Sequence, residues 1–321
     1  MRAAVVREFG GTENIRVEEL PIPEPGEGEV RVRVHYTPVN PTDVMLRAGL
    51  QAKAFESIPQ PWIPGLEFAG VVDKITGAPQ DNIDVGAKVM GIVSPRRAEG
   101  GAQAEYVIVP SGDVAAVPDG LSLEAASMIP MNGLTAGMVI DRLEPDSSKT
   151  VLVTGAGGIL GGYVVQLARR AGMSVIAQGR ASDQRTLEEL GAAAVITSDD
   201  DLVAAVKRIA PEGVDGVVDA ANIGVDVEEA LRDGGILVQV LPKQLPETTR
   251  ITRRSLSVLE AYGAPETLSE KARNAGLEVL TPRVADVVPV EHVSQVHEAV
   301  EAGGKRGRIV LDFRDRGDRA S

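Results

Sequence analysis

The chain has 321 residues, with 33 basic and 46 acidic side chains and a formal net charge of -13. This length exceeds the usual size of one domain, so two domains are expected. The acidic balance argues against a nucleic-acid partner and against anionic membranes, and the absence of cysteine excludes disulfides, thiolate catalysis and cysteine-ligated zinc. No apolar signal core or membrane-length run is present, so a cytoplasmic location is expected.

The first third of the chain predicts a domain of many short strands with glycine and proline corners, which is typical of a twisted, partly closed β barrel. Within this domain, Asn40 and Pro41 are predicted to begin a helix, because asparagine can cap a helix and proline suits its first position. The strands are predicted over 3–7, 16–19, 29–34, 68–75, 88–93 and 104–109.

Beyond Pro118-Asp119-Gly120, strands alternate with helices in the rhythm of a doubly wound parallel sheet. The predicted strands cover 150–154, 174–177, 194–197, 216–219, 236–240 and 256–261, and the predicted helices cover 160–171, 184–190, 200–209 and 227–232. A helix after Pro265, a strand over 283–289, a helix over 291–302 and a strand over 308–313 then return to the first domain. We therefore predict one domain from 1–118 and 264–321, a second from 119–263, and a frayed tail over 314–321.

The stretch 150–172 joins a buried strand to a glycine-rich turn and an amphipathic helix. A strict G-x-G-x-x-G read from Gly155 fails at Leu160, but a frame starting at Ala156 fits. Small residues let the backbone approach a pyrophosphate, and the helix start supplies free N–H groups. The alternative is a tightly packed junction that binds nothing. The residues expected to contact the cofactor are Gly155, Ala156, Gly157, Gly158, Ile159, Leu160 and Gly161.

Cofactor preference is set at the end of the second strand of such a unit, where NAD-binding proteins place a carboxylate. Here the strand ends in Gln178-Gly179-Arg180, so a carboxylate is missing and a guanidinium is available for a 2′-phosphate. This pattern favours NADPH. The alternative is that Arg180 is only a solvated loop residue.

Six segments in fixed order resemble the medium-chain dehydrogenase/reductase superfamily, in its zinc-independent quinone oxidoreductase (zeta-crystallin-like) branch. The resemblance implies an α/β fold: a Rossmann domain plus a GroES-like domain built from both chain ends. It also implies NADPH in the cleft between them, hydride transfer to a quinone or other activated carbonyl or alkene, and a homodimer through the Rossmann edge strand, taken as 256–261. The segments are 39–43, 63–72, 101–106, 133–136, 151–168 and 307–311.

Zinc alcohol dehydrogenases of this superfamily carry a Gly-His-Glu segment, where this chain has Gly65-Leu66-Glu67. Leu66 cannot bind a metal, so the resemblance implies a zinc-independent enzyme. Without ligands for a metal Lewis acid, the residues favour a soft hydride acceptor such as a quinone or enone. The three histidines, at positions 35, 292 and 297, are interpreted as satisfied or exposed structural residues.

For the reacting end, the resemblance implies Asn40 and Asp43 at the cleft floor, Thr135 near the nicotinamide and Arg308 near the phosphates. The residues themselves leave plainer roles open: Asn40 as a helix cap, Asp43 as a first-turn dipole partner and Thr135 as a core residue.

Relatives that reduce enones often have a tyrosine where this chain has Gln51, which leaves protonation to water or another group. Phe55 and Trp62 are expected to line the substrate mouth with Gln51, or else to pack the loop. The segment 264–281 is shorter than usual in the family. Two other functions stay open: an NADPH-dependent alkenal or enoyl reductase, and a non-catalytic NADPH-binding structural or regulatory protein.

Overall fold

A computed structural model describes residues 1–78, 81, 83–240, 244–261 and 266–314. The chain divides into two units. The first unit comprises Met1–Met131, Tyr262–Ala272 and Pro282–Ser321, and the second comprises Asn132–Ala261 and Arg273–Thr281. The domain boundaries drawn from sequence at 118 and 263 stay predictions.

The strands of the described residues share the short lengths that the sequence predicts. In chain order they are β1 (Arg2–Val6), β2 (Ile15–Glu19), β3 (Glu29–Pro38), β4 (Glu67–Ile75), β5 (Lys88–Ile92), β6 (Tyr106–Pro110), β7 (Val114–Ala116), β8 (Thr150–Thr154), β9 (Ser174–Gly179), β10 (Ala194–Thr197), β11 (Val214–Asp219), β12 (Leu231–Gln239), β13 (Thr252–Ser255), β14 (Val284–Pro289) and β15 (Arg308–Asp312).

The α-helices are α1 (Pro41–Arg47), α2 (Leu123–Ala126), α3 (Pro130–Leu143), α4 (Ile159–Arg170), α5 (Gln184–Leu190), α6 (Leu202–Ile209), α7 (Leu268–Ala275) and α8 (Val293–Ala302). Short 3₁₀ helices cover Thr12–Asn14, Ala52–Phe55, Ser111–Asp113, Ala181–Asp183, Val225–Ala230, Val258–Ala261, Leu277–Val279 and Val290–His292. None of the described helices is long and apolar enough to cross a bilayer.

The first unit is built on a seven-stranded mixed sheet in the order β14-β15-β3-β4-β5-β7, with β6 paired to β3. The long strand β3 alternates buried and half-buried residues, so that Val30, Val32 and Val34 enter the core while the residues between them do not. β15 pairs antiparallel with β3, and β14 pairs parallel with β15. The C-terminal strands therefore complete the N-terminal sheet, which confirms the GroES-like part of the predicted fold.

The second unit carries a six-stranded parallel sheet in the order β10-β9-β8-β11-β12-β13. The apolar run Val151–Val153 of β8 is fully buried, as expected for a strand covered on both faces. The chain runs from β8 outward through β9 and β10, and then returns to the other side of β8 at β11. This reversal is the topological switch of a doubly wound sheet, where ligands bind beyond the carboxyl ends of the strands. The Rossmann part of the predicted fold is confirmed.

The predicted edge strand over 256–261 is wrong. The edge strand is β13, which pairs with β12 in a register that ends with Ser255 opposite Gln239, the last residue of β12. The following residues turn instead, because the backbone N–H of Ser257 donates to Oε1 of Glu260 at 2.9 Å and the N–H of Leu259 donates to the Ser257 hydroxyl at 3.3 Å. A Ser-x-x-Glu sequence closes a helical turn in this way.

The helix predicted over 227–232 is also corrected. Residues Val225–Ala230 form a 3₁₀ helix, and Leu231 already pairs with Val214 as the first residue of β12. The buried residues Val227 and Ala230 lie three positions apart, on one face of this 3₁₀ helix.

Some expectations fall on residues outside the described ranges. The tail over 315–321 lies there, as do residues 264 and 265 of the segment 264–281. The described part of that segment forms α7 and the 3₁₀ helix Leu277–Val279.

Candidate active site

The glycine turn of the second unit follows the carboxyl end of β8. Gly155 has a φ of +59°, a conformation that glycine adopts at little cost, and its carbonyl accepts the N–H of Gly158 at 2.9 Å. α4 then begins at Ile159, and its N-cap residue is Gly158, which has no side chain of its own to cap the first turn. The first turn of α4 thus presents backbone N–H groups and the positive end of the helix dipole.

Gly161 allows α4 to lie directly on this turn. A β-carbon at Gly161 would approach the carbonyl oxygen of Gly155 to 2.5 Å and the α-carbon of Ala156 to 2.8 Å. A β-carbon at Gly158 would meet only the Gly155 oxygen, at 3.3 Å. The missing β-carbon at Gly158 therefore lets a ligand approach the backbone closely at the start of α4, and these residues fit the diphosphate of a dinucleotide.

The turn is tied to β9, where cofactor preference is decided. The N–H of Ala156 donates to the backbone oxygen of Gln178 at 2.9 Å, and the N–H of Gly155 donates to the Gln178 side chain at 3.2 Å. Arg180 follows β9 and is exposed, and it makes no ion pair within the described ranges. The neighbouring Arg185 pairs with Glu189 at 2.8 Å, so of these two arginines it is Arg180 that has no ion pair among the described residues.

Asp183 is a residue that sequence reasoning missed. It is 4% exposed, and its Oδ2 accepts the backbone N–H of Arg180 at 3.0 Å. The same carboxyl group lies against Gly157, where a β-carbon would collide with Oδ2 and approach Cγ to 3.0 Å. The expectation that a carboxylate is missing here is therefore corrected: one reaches the glycine turn from three residues beyond Arg180.

Asp219, at the carboxyl end of β11, is a second missed residue. Its carboxyl group accepts the Thr154 hydroxyl at 2.9 Å and the backbone N–H groups of Ile223 and Gly224 at 3.0 and 2.9 Å. These bonds hold the loop after β11 beside Gly155. Its position directly after the buried Val217-Val218 pair was the signal for such a role.

In the first unit, Asn40 and Asp43 at the start of α1 lie close to Glu67, the first residue of β4. Asn40 is the N-cap residue of α1, but the helix start is closed by Asp43, whose Oδ2 accepts the backbone N–H of Asn40 at 2.8 Å. The Asn40 side chain donates through Nδ2 to Oε1 of Glu67 at 3.0 Å. Oε2 of Glu67 accepts the N–H of Met131 at 2.8 Å, and all three polar side chains are buried.

The pKa of Asp43 is raised to about 6 because burial disfavours its charged form. Hydrogen bonds from the N–H groups of Asn40 and Gly65 and the positive charge of Arg308 act in the opposite direction. Its Oδ1 accepts the Gly65 N–H at 2.9 Å, so both oxygens hold backbone. These contacts make Asp43 a residue that positions Asn40 and Gly65.

The other predicted site residues occupy different environments. Arg308 begins β15 in the first unit, and Thr135 lies on α3 in the second unit with 5% exposure. Gln51 is half-buried and accepts a hydrogen bond from Arg96 at 3.2 Å. Their roles toward a ligand stay predictions.

Phe55 and Trp62 belong to the hydrophobic core of the first unit. Phe55 is 1% exposed, and the Trp62 ring stacks on Phe9 with 4.3 Å between centroids. The indole N–H of Trp62 donates to the Ile58 carbonyl at 3.0 Å. This arrangement corresponds to the alternative in which the two rings pack the loop.

The histidines do not gather around a common centre. Among the described residues, no group of three His, Cys, Asp or Glu side chains is placed to hold a metal ion, and Leu66 is buried. His292 is exposed, whereas His297 is fully buried with no hydrogen bond to either ring nitrogen within the described part of the chain. His297 is therefore structural but not satisfied, which corrects the expectation, and burial lowers its pKa to about 3.

Two family models match this chain. The model described as "Alcohol dehydrogenase GroES-like domain" matches residues 26–119, and "Zinc-binding dehydrogenase" matches residues 160–244. A protein named NADPH-dependent alkenal/one oxidoreductase, chloroplastic, from Arabidopsis thaliana is 30% identical over 318 residues, which cover 97% of this chain and 79% of the relative. The chain belongs to the medium-chain dehydrogenase/reductase superfamily.

Other members of the superfamily align over different shares of their length. A quinone oxidoreductase from Lama guanicoe is 26% identical over 328 residues, covering 97% of each chain. The synaptic vesicle membrane protein VAT-1 homolog-like of Mus musculus is 32% identical over 222 residues, or 68% of this chain. The alignment spans about half (51%) of that relative's length.

Solved structures of superfamily members share the whole fold. An NAD-dependent alcohol dehydrogenase is 29% identical with a TM-score of 0.83, covering 98% of this chain and 100% of its own. A mycobacterial protein solved in complex with NADPH is 25% identical with a TM-score of 0.82, covering 97% of this chain and 100% of its own. The two names differ in cofactor, so the relatives alone leave the choice between NAD and NADP to the residues of this chain.

Proposed function

We propose that this protein is a zinc-independent, NADPH-dependent oxidoreductase that reduces a quinone or another activated carbonyl or alkene. The observation that carries the proposal is the glycine turn Gly155–Gly158, which follows the carboxyl end of β8 and leads directly into α4. Relatives named quinone oxidoreductase and NADPH-dependent alkenal/one oxidoreductase align with 97% of the chain, which supports the same class of reaction.

The second unit supplies the contacts for the cofactor. The amides of the first turn of α4 bind the diphosphate, which can approach closely because Gly158 has no β-carbon, and the helix dipole favours negative charge there. Arg180 pairs with the 2′-phosphate, since Arg185 is already engaged by Glu189. When bound, the reduced nicotinamide supplies a hydride to the acceptor.

The first unit supplies residues for the acceptor. Asn40 is oriented by Glu67 and by the Asp43 cap, so its amide occupies a fixed position at the start of α1. Both oxygens of Asp43 accept backbone N–H groups, and this carboxyl group therefore holds the loop and donates no proton to substrate. We propose that the acceptor's proton comes from solvent, and that positioning is the main contribution of the protein.

A second candidate is an alkenal or enoyl reductase. It is favoured by the 30% identity over 318 residues to the Arabidopsis alkenal/one oxidoreductase, a higher identity than the 26% shared with the quinone oxidoreductase of Lama guanicoe. Quinones and enones both delocalise the negative charge that develops on hydride addition. The two functions differ in acceptor, not in cofactor site.

The test follows NADPH oxidation by the full chain against a panel of quinones, alkenals and enoyl thioesters. We expect turnover with at least one class, and a clear preference between quinone and alkenal separates the first function from the second. NADPH binding without turnover on any acceptor would contradict both and leave the non-catalytic alternative. Unchanged NADPH affinity in R180A would contradict the 2′-phosphate contact.

We further propose a homodimer through the edge of the parallel sheet, now at β13 instead of 256–261. Among the described strands, β13 pairs on one side only, and a second copy of the strand would pair with its outer edge. The strand is polar, and within the chain Arg253 pairs with Glu228 at 2.7 Å and Arg254 with Glu144. Light scattering of the purified chain tests this, and a monomeric mass at micromolar concentration would contradict it.

A further inference from the structure

Two side chains of opposite charge follow β9 beside the glycine turn. Arg180 is exposed, whereas Asp183 is 4% exposed and lies in the 3₁₀ helix Ala181–Asp183 that leads into α5. The first of these residues favours NADPH. The second changes the electrostatic environment of the same subsite.

One side-chain hydrogen bond, one backbone hydrogen bond and the close packing of two glycines define the position of Asp183. Its Oδ2 accepts the backbone N–H of Arg180 at 3.0 Å, and the N–H of Asp183 donates to the Arg180 carbonyl at 2.8 Å. A β-carbon on Gly157 would collide with Oδ2, and one on Gly179 would lie 3.3 Å from it. The carboxyl group therefore lies between the glycine turn and the end of β9, in close contact with both.

This is the place from which a carboxylate selects NAD in dinucleotide-binding units, because it accepts the ribose hydroxyls and repels a 2′-phosphate. We propose that Asp183 is a specificity-determining residue that weakens the preference of this chain for NADPH over NADH. The inference rests on the proposed function, since it assumes a nucleotide on the glycine turn.

Arg180 and Asp183 then act in opposite directions on one phosphate group. The guanidinium attracts the 2′-phosphate, whereas the buried carboxylate repels it and is screened little by solvent. The carboxylate has no comparable effect on NADH, which carries a hydroxyl in that position. The chain is accordingly expected to bind both nucleotides, with a moderate preference for NADPH.

The test measures binding and needs no turnover. Calorimetric titration of the full chain with 2′,5′-ADP and with 5′-AMP gives the ratio of the two affinities, which reports only the 2′-phosphate. In D183N the ratio is expected to rise about tenfold, because the substitution removes one charge at short range and keeps an oxygen for the Arg180 N–H. In R180A the ratio is expected to fall by about the same factor.

The matched control is E188Q, which changes the net charge of the chain by the same amount on α5, leaves the Arg185–Glu189 pair intact and is expected to leave the ratio unchanged, because Glu188 is exposed and accepts a hydrogen bond from the Gln184 side chain. If D183N does not fold, D183S keeps a hydroxyl that can accept the same N–H and serves as the second variant. A ratio in D183N within twofold of the unsubstituted chain, or an equal loss for both nucleotides, would overturn the inference. Failure of the unsubstituted chain to bind either nucleotide would overturn the proposed function itself.

Discussion

The side-chain amide of Asn40 donates to the carboxyl group of Glu67 at 3.0 Å, and both side chains are fully buried. The other carboxyl oxygen accepts the N–H of Met131, in the first turn of α3. Glu67 thus satisfies two buried donors on different segments of the first unit. In zinc-containing members of the superfamily this glutamate follows a histidine ligand, whereas here it follows Leu66 and orients a neighbouring amide.

E67Q should lower the free energy of unfolding by about 1–3 kcal/mol, because the new amide group faces one of the two donors and leaves it unsatisfied. The measurement is chemical denaturation of E67Q beside E24Q. Glu24 pairs with Arg31 and Lys74 on the surface, so its substitution should cost much less. An E67Q protein as stable as E24Q would contradict the assigned role of Glu67.

His297 should make stability depend on pH. Its pKa is lowered from 6.5 to about 3 by burial and by the nearby charge of Arg47, so only the unfolded chain takes up its proton between these values. Stability therefore falls as pH decreases below about 6.5. Between about pH 7.5 and about pH 5, H297F should lose about 2 kcal/mol less than the unsubstituted chain in denaturation experiments. Equal losses would show that His297 takes up a proton in the folded chain.

Asp43 should act with the opposite sign. Its pKa is raised from 3.8 to about 6, so its contribution to stability is complete below 3.8 and is lost as pH rises through 6. In the unsubstituted chain this slope offsets that of His297 between these values. D43N should therefore lose about 1 kcal/mol more than the unsubstituted chain between about pH 7.5 and about pH 5. Parallel curves for D43N and the unsubstituted chain would contradict the raised pKa.

Two glycines of the turn should respond differently to alanine. G161A should destabilise the chain by about 1–3 kcal/mol, because its β-carbon would overlap backbone atoms of Gly155 and Ala156. G158A meets only one atom at 3.3 Å and should fold nearly as stably, yet bind NADPH about tenfold more weakly because the methyl group blocks the diphosphate. Thermal melting and NADPH titration of both variants check this, and full NADPH affinity in G158A would argue against the site.

The fold was predictable in segments where the pattern of apolar residues was typical of a single kind of secondary structure. The fully buried run of β8 and the alternation of β3 set the two sheets, and the turn after β8 marked the switch point. The errors came from apolar segments in which local hydrogen bonds decide the conformation. Ser257 and Glu260 close a turn where hydrophobicity alone favoured an edge strand.

The candidate site was predictable only in part, because its missed residues act through contacts between distant segments. Glu67 meets Asn40 across 27 positions, and Asp219 meets Thr154 across 65. Asp183 lies close in sequence to the expected position for a carboxylate, but a 3₁₀ turn is needed to bring it back to Gly157. The number of residues between the glycine motif and an acidic residue does not reveal such a turn, so this position could not be identified from spacing alone.

The most direct test is a calorimetric titration of the folded, unsubstituted chain with NADPH, because the proposed function depends on a diphosphate at the start of α4. The proposed function requires saturable binding of a single nucleotide per chain, weakened by G158A. A folded chain that takes up neither NADPH nor NADH would contradict it.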